Sequence, residues 1–172
     1  MKPHIKLVVS DNDSAEALER AERAGIGTAV VRWEDHRGRS EFSDAVADLV
    51  EERGAKGVVL AGFMRILSPS FIDRFPERIV NIHPSLLPAF PGVRAVEAAL
   101  AHGVRVTGVT VHFVDEEVDH GPIIAQRAVE VLNGDTVESL HRRIQTVEHV
   151  LYPEIVKAFV RGELTSESRV AG

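Results

Sequence analysis

Asn81 and His83 are the first residues whose types and spacing suggest chemistry. They lie two positions apart at the end of a predicted strand, Ile79–His83, so their side chains leave the strand from the same face. An amide and an imidazole side by side offer two hydrogen-bond donors to one point, which suits the stabilisation of an oxyanion. The alternative is that His83 only ends the strand and Asn81 begins a turn. The loop that follows, Pro84–Gly92 with its three prolines, favours a site, because fixing such a loop costs conformational freedom.

Asp119 adds a carboxylate in the predicted loop Val114–Pro122, between two strands. In that place it could orient His83 and favour the protonated form of the imidazole. The alternative is a solvated charge in an acidic loop, whose other carboxylates are Asp115, Glu116 and Glu117.

Histidines near this loop raise the question of a metal site. Its ligands would be His83, His112, Asp119 or His120, but no H-x-x-x-H or HExxH spacing supports it, and no metal is expected. His112, on the polar side of an alternating strand, is either a supporting residue in the site or a surface residue.

Arg65 lies just past a buried strand, in the segment Gly62–Leu67. An arginine there suits a planar ligand with several acceptors, and the alternative is an ordinary surface salt bridge. Trp33 and Tyr152 are interpreted as packing residues.

Composition and absent motifs narrow the class of protein. A chain of 172 residues suits one domain, and the lack of cysteine excludes disulfides, thiolate metal sites and a cysteine nucleophile. A net charge of −6 disfavours nucleic acid, so a small-molecule partner is expected. No dinucleotide, Walker or serine-hydrolase motif occurs. The apolar run Ile5–Val9 is too short for a signal or a membrane helix, so we expect no membrane partner and a cytoplasmic location.

Alternating strands and helices predict an α/β fold with a mainly parallel, twisted sheet flanked by helices. The predicted strands are Lys6–Ser10, Thr28–Val31, Val58–Ala61, Ile79–His83, Val106–Phe113 and Ile123–Val131. The predicted helices are Ala15–Ala24, one capped by Ser40, one begun by Ser68-Pro69, Arg94–His102, and one begun by a capping box at Asp135–Glu138 and broken at Tyr152-Pro153. Ligands in such folds bind beyond the carboxyl ends of strands, where the residues above lie. Residues 165–172 are predicted to be a tail of this single domain.

Longer strings of sequence resemble the folate-dependent formyltransferase family. They are Asn81–Pro88 (NIHPSLLP) with Pro91-Gly92, His112–Val114 (HFV), and Asp119–Gln126 (DHGPIIAQ). Leu60–Pro69 (LAGFMRILSP) and Glu148-His149 ahead of Tyr152-Pro153 are similar to the members that act on glycinamide ribonucleotide in purine synthesis. The likeness covers essentially the whole chain and implies the Rossmann-like formyltransferase fold.

This resemblance implies transfer of a formyl group from 10-formyltetrahydrofolate to the amine of glycinamide ribonucleotide. Asn81, His83 and Asp119 match the catalytic residues, with Asn81 and protonated His83 holding the oxyanion, Asp119 sustaining the charge on His83, and a water relaying protons. Glu148 matches a contact to the ribose of the acceptor, which the loop at Pro84 would help to hold. The residues that match the folate pocket are Met64, Arg65, Ile66, Leu67, Val114, Asp115, Glu116 and Val118.

The chain departs from the family at its beginning. The family starts with a strand, a turn that cradles the substrate phosphate, and a helix, whereas Lys6–Ser10 aligns with the family's second strand. About 25 residues would be absent, since a βαβ unit runs about 30, and with them an anion-binding turn and a central strand. We expect a truncated product, a strand supplied by rearranged packing or by another copy in a homodimer, or a short variant with weakened phosphate binding. Arg37 and Arg39 would then partly replace the turn.

Other activities of the same family stay open as alternatives. They are a formyl-folate hydrolase, a sugar-amine formyltransferase and a tRNA formyltransferase. The hydrolase carries a second histidine where Pro84 stands and an extra regulatory domain, and the tRNA enzyme needs a basic C-terminal domain. An inactive folate-binding remnant is a further alternative, against which the intact Asn81, His83 and Asp119 argue.

Overall fold

The computed structural model describes residues 4–166, so residues 167–172 of the predicted tail lie outside the described part. Contacts divide the chain into two compact units. We call residues 4–58 with Arg65–Arg78 the N-terminal unit, and Val59–Met64 with residues 79–166 the C-terminal unit.

A short parallel sheet and three helices form the N-terminal unit as far as it is described. The strands β1 (Val8–Ser10) and β2 (Thr28–Val30) pair in parallel and are joined by α1 (Glu16–Arg23). A 3₁₀ turn at Trp33–Asp35 leads to α2 (Arg39–Glu52), which packs on α3 (Pro69–Arg74). The apolar side chains buried on the two helices are Phe42, Val46, Ala47, Val50 and Phe71.

The beginnings of two helices test the predicted caps. Ser68 caps α3 as predicted, because its hydroxyl accepts the N–H of Phe71. The prediction that Ser40 caps α2 is wrong: Gly38 holds the N-cap position and Ser40 lies inside the helix. The cause is Glu41, whose carboxylate accepts the Arg37 N–H at 2.8 Å and draws the preceding chain onto the first turn.

Four strands in the order β3-β4-β5-β6 form the second sheet. They are β3 (Val58–Leu60), β4 (Ile79–His83), β5 (Val106–Phe113) and β6 (Ile123–Glu130). The pairs β4–β5 and β5–β6 are antiparallel. This register places Asn81 opposite His112, and Thr110 between His83 on one side and Gln126 on the other. A shift in register at Val111/His112 interrupts the regular pairing of β5 with β6 beside this row of polar residues.

The helices α4 (Ala95–His102) and α5 (Val137–Val160) complete the C-terminal unit. They contact each other, and α5 also packs on β5 and β6. The core consists of Val80, Val96, Val109, Val111, Phe113, Ile124, Ala125, Val129, Leu140, Ile144, Leu151 and Ile155.

Two predictions about α5 are wrong. The capping box is formed by Thr136 and Ser139 rather than by Asp135 and Glu138, because Asp135 is engaged by Arg143. Arg143 and Ser139 hold the pKa of Asp135 below its ordinary range. The helix is also unbroken at Pro153, where burial of Leu151 and Ile155 on either side offsets the lost backbone hydrogen bond.

Tyr152 does more than the packing that we expected of it. Its hydroxyl donates to the carbonyls of Leu60 at 2.5 Å and Val80 at 3.1 Å, which ties α5 to the strands β3 and β4. Burial raises the pKa of this phenol well above its ordinary value, so the hydroxyl keeps the proton that it donates.

The α/β class predicted from the alternation of strands and helices is confirmed. Within residues 4–166, no helix combines the length and the apolar character that a membrane span requires.

Candidate active site

Asn81 and His83 lie on β4 opposite His112 and Thr110 of β5. The amide nitrogen of Asn81 lies 3.4 Å from Nε2 of His112 on the paired strand. His83 is buried, with 5% of its surface exposed. Both faces of β5 are buried, so the alternative that His112 is a surface residue is wrong, whereas its supporting role in the site stays a prediction.

Asp119 lies between the two histidines. Its carboxylate oxygens are 3.4 Å from Nδ1 of His83 and 3.7 Å from Nε2 of His112, and one of them accepts the Gly92 N–H at 2.7 Å. The backbone of Asp119 is left-handed, with φ at 51°, which turns the side chain inward from its loop. The close approach of His112 is the main cause that lowers the pKa of this carboxyl, with help from the Gly92 N–H and His83. The carboxylate is therefore ionised throughout the neutral range.

The ring nitrogens of the histidines are assigned from their partners. His83 donates from Nε2 to the carbonyl of Phe90 at 2.8 Å, and its Nδ1 faces Asp119. Because both partners are acceptors, a protonated His83 ring has one for each N–H. His112 donates from Nδ1 to the carbonyl of Phe113 at 2.8 Å, so in the neutral ring Nε2 accepts the Asn81 amide.

The loop between Pro84 and Gly92 is held by side chains that the sequence did not single out as site residues. Thr110 donates to the carbonyl of Ser85 at 2.7 Å, and Gln126 donates to the carbonyl of Leu87 at 2.9 Å. Phe90 has φ at 51° in the left-handed region, which directs its carbonyl toward His83. The alternation of β5 puts Thr110 on the same face as His112, but it does not show that Thr110 contacts this loop.

The acidic loop after β5 makes its own ion pairs. Asp115 binds Nδ1 of the exposed His120 at 2.8 Å, a hydrogen bond that raises the pKa of the imidazole, and it also accepts the Glu117 N–H. Glu116 lies in the same exposed segment, and Val114 is half-buried where it donates its N–H to the Ile79 carbonyl. Across residues 4–166 there is no group of three or more histidine, aspartate or glutamate side chains placed to hold a metal ion.

The predicted folate residues are split between the two units. Met64 of the C-terminal unit has 70% of its surface exposed, which is unusual for a large apolar side chain. In the N-terminal unit, Ile66 is also exposed, whereas Leu67 is buried and its carbonyl accepts the guanidinium of Arg39. Arg39, which was considered for phosphate binding, therefore donates to a backbone carbonyl in this structure.

Arg65 forms a salt bridge, which was the alternative considered for it, and its role toward a ligand stays a prediction. Its Nε donates to Asp11 at 2.8 Å, and its guanidinium carbon lies 4.9 Å from the centre of the Trp33 ring. Trp33 thus supplies a cation–π contact as well as packing. Arg37, which was considered for phosphate binding, pairs with Glu41.

Glu148, on α5, is half-buried, and that burial raises the pKa of its carboxyl, which His141 and His149 partly oppose. Pro84, the other predicted acceptor residue, directly follows β4 and is half-buried. A carboxylate that is removed from water and not paired with a cation destabilises the folded protein. Proteins tolerate this cost at sites where a bound ligand supplies the missing hydrogen-bond partners.

Glu148→Gln is expected to raise the melting temperature at pH 7 to 8. A carboxyl whose pKa is raised on folding holds more protons in the folded state, so stability falls as the pH rises from its unfolded pKa, about 4.3, through the folded value. The gain should vanish below pH 4, where both states are protonated. Glu154→Gln, an exposed change on the same helix, is the control. Equal melting temperatures of the variant and the wild type at pH 8 would contradict the expected effect of burial.

Comparison with known proteins decides the family. A family model described as formyl transferase matches residues 1–156, which is most of the chain. The chain belongs to the formyl transferase family. The resemblance drawn from the strings around Asn81, His112 and Asp119 is confirmed.

Relatives within the formyl transferase family are similar along nearly the full chain. Phosphoribosylglycinamide formyltransferase of Bacillus subtilis (strain 168) is 40% identical over 161 residues, which are 91% of this chain and 83% of that protein. The trifunctional purine biosynthetic protein adenosine-3 of Gallus gallus is 49% identical over 92% of this chain. This chain spans only 16% of that longer relative.

A solved structure supports the same fold of the formyl transferase family. Glycinamide ribonucleotide transformylase 1 from Symbiobacterium toebii superposes with a TM-score of 0.92 at 49% identity. The match covers 95% of this chain and 77% of that chain. The predicted formyltransferase fold is therefore confirmed.

Proposed function

We propose that this chain transfers the formyl group of 10-formyltetrahydrofolate to the amine of glycinamide ribonucleotide, a step of de novo purine biosynthesis. The observation that carries the proposal is the convergence of Asn81, His83 and Asp119 in one cluster around His112. The names of the bacterial relatives, which state this reaction, support the choice of acceptor.

The reaction needs a stabilised oxyanion. The acceptor amine attacks the formyl carbon, a carbon–nitrogen bond forms, and negative charge develops on the formyl oxygen. Asn81 has two amide N–H groups, and since His112 takes one of them, the other can donate to that oxygen. His83 reaches the same oxygen from Nε2 when the substrate oxygen replaces the Phe90 carbonyl, with the Asp119 carboxylate compensating the charge of the ring.

Collapse of the tetrahedral intermediate completes the transfer. The bond between the formyl carbon and N10 of the folate breaks, and its electron pair remains on N10. The attacking amine loses one proton and N10 gains one, so tetrahydrofolate leaves as a neutral amine. A water between the two nitrogens relays the proton, and Asp119 is the carboxylate placed to orient it.

The two substrates are assigned to different residues. Exposed apolar side chains at Met64 and Val118 of the C-terminal unit suit the flat folate ring, and the backbone from Val114 to Glu116 offers it hydrogen bonds. Glu148 would bind the ribose hydroxyls of the acceptor, which its burial prepares it to accept. The loop at Pro84 would hold the acceptor near His83.

Absorbance of a 10-formyl folate, with and without glycinamide ribonucleotide, tests the proposal. We expect deformylation that depends on the acceptor and that falls about 100- to 1,000-fold in kcat in Asn81→Ala, since one oxyanion donor is lost. Glu154→Gln, an exposed change on α5, is the control variant and should keep the activity of the wild type. Deformylation at the same rate with and without the acceptor would instead indicate a hydrolase. Binding of the folate without turnover would indicate an inactive remnant.

Assembly and location are part of the same proposal. In the described sheet order β3 is an edge strand, and 42% of the surface of Val59 on it is exposed. Edge strands of this kind pair readily with another chain, which supports a homodimer that completes the sheet and that sedimentation velocity would detect. A cytoplasmic location is supported by the absence of cysteine, which suits a reducing compartment.

A further inference from the structure

We propose that Thr110 and Gln126 are positioning residues for His83 and Asp119, acting through the loop between Ser85 and Gly92. The proposal rests on the proposed function, because its kinetic consequence is a change in formyl transfer. The hydrogen bonds of Thr110 and Gln126 in the described residues go to this loop and to each other, not to His83 or Asp119. Thr110 is also the partner of His83 in the strand register, and the action proposed here is the one through the loop.

Thr110 is the centre of a saturated hydrogen-bond cluster. Its hydroxyl, which is fully buried, donates to the carbonyl of Ser85 at 2.7 Å. It accepts the N–H of Leu87 and the amide of Gln126, each at 3.0 Å. One donor and two acceptors are the full capacity of a hydroxyl. Gln126 adds a bond to the carbonyl of Leu87 at 2.9 Å, so two side chains bind three backbone groups of one turn.

The far end of the same loop carries the partners of the catalytic candidates. The carbonyl of Phe90 accepts Nε2 of His83 at 2.8 Å, and the N–H of Gly92 donates to Asp119 at 2.7 Å. Between the two ends, Ser85 binds the carbonyl of Ala89 at 2.6 Å. A displacement of the chain at Leu87 is therefore passed to Phe90 and Gly92 within a few residues.

Thr110→Val removes the hydroxyl and leaves the shape of the side chain nearly unchanged. The Leu87 N–H and the Ser85 carbonyl then lose their buried partner, and the turn must move to satisfy them. Since a shift of about 1 Å in a catalytic geometry costs up to about 100-fold in rate, we expect kcat to fall about 10- to 100-fold. The KM for the folate should change by less than about threefold, because the loss falls on the transition state.

Thr107 provides a matched control on the same strand. It is equally buried, with 2% exposed, and its hydroxyl has no hydrogen-bond partner in the part of the chain that the structure describes. Thr107→Val makes the same chemical change in the same strand without removing a bond to the loop. Thr110→Ser, which keeps the hydroxyl, should restore most of kcat.

The experiment compares the wild type with Thr110→Val, Thr110→Ser and Thr107→Val. For each protein, steady-state kinetics give kcat, and NMR measures the hydrogen exchange of the Gly92 amide. We expect Thr110→Val alone to lose kcat and to lose protection at Gly92, while Thr110→Ser and Thr107→Val keep both. If Thr110→Val has the same kcat and the same Gly92 protection as Thr107→Val, the proposal is overturned. If Thr110→Val does not fold, Gln126→Met, which removes only the amide, gives the same comparison.

The two proposals fail in different ways. A wild-type protein without acceptor-dependent turnover would refute the proposed function. The Gly92 exchange needs no substrate, so it would still decide whether Thr110 holds the loop.

Discussion

Asp119→Asn is expected to lower kcat by up to about 10,000-fold while the protein stays folded. The carboxylate is the only negative charge that the described structure brings within 4 Å of both His83 and His112. Asparagine keeps the shape of the side chain and a carbonyl oxygen for the Gly92 N–H, but it carries no charge to compensate a protonated His83. The measurement is single-turnover deformylation at saturating acceptor, which isolates the chemical step.

The pH dependence of stability supplies an independent check on Asp119. Its pKa is lowered in the folded protein, so its ionised form contributes stability that is present above the unfolded pKa, about 3.9, and is lost as the pH falls through the folded value. The difference in unfolding free energy between the wild type and Asp119→Asn should be constant above pH 5 and shrink below pH 4. Asp48→Asn, an exposed change in the N-terminal unit, is the control. A kcat within tenfold of the wild type would remove Asp119 from the mechanism.

Gly121→Ala is expected to lower the free energy of unfolding by about 3 kcal/mol or more and to abolish activity. A Cβ at this position would lie 1.9 Å from the carbonyl oxygen of Phe113 and 3.2 Å from the backbone nitrogen of Asp115. Both atoms belong to the backbone, so no side chain can move aside. The loop would have to separate from the end of β5, where the Phe113 N–H binds the Pro122 carbonyl, and Asp119 would move with it. Urea denaturation measures the loss.

Gly134→Ala is the matched control for Gly121→Ala. It has φ at +84°, and a Cβ there meets no atom within 4 Å, so it tests backbone conformation without a clash. We expect a loss of about 1 to 2 kcal/mol for that variant. Equal losses at the two glycines would mean that the contact with Phe113 is relieved by a small local movement.

The sequence predicted the local part of the site and missed the part that depends on tertiary contacts. The bounds of β4 were predicted correctly, and the period of a strand also predicts the shared face of Asn81 and His83. Alternation in β5 could not show that Thr110 faces the loop, because both faces of that strand are buried and a pattern of residues does not name their neighbours. Phe90 contacts His83 through its backbone carbonyl, and because every residue has a carbonyl, the residue type could not predict this contact.

The errors at the helix ends have the same origin. Gly38 rather than Ser40 caps α2 because Glu41 reaches back to the chain before the helix. The helix α5 passes through Pro153 because packing around Leu151 and Ile155 outweighs the local preference for a break. Propensity is a weak guide wherever a tertiary contact acts on the same residue.

The bond from Tyr152 to β3 and β4 has a consequence for how the protein forms on the ribosome. Its hydroxyl joins positions 92 and 72 residues apart along the chain. Contacts of such long sequence separation form late, because the intervening chain must first be ordered. During synthesis the Val80 carbonyl of β4, the strand that carries Asn81 and His83, can therefore be bound by Tyr152 only after α5 has been made. Asn81 and His83 are therefore synthesised well before Tyr152, and the strand that carries them is anchored to α5 only after that helix has been made.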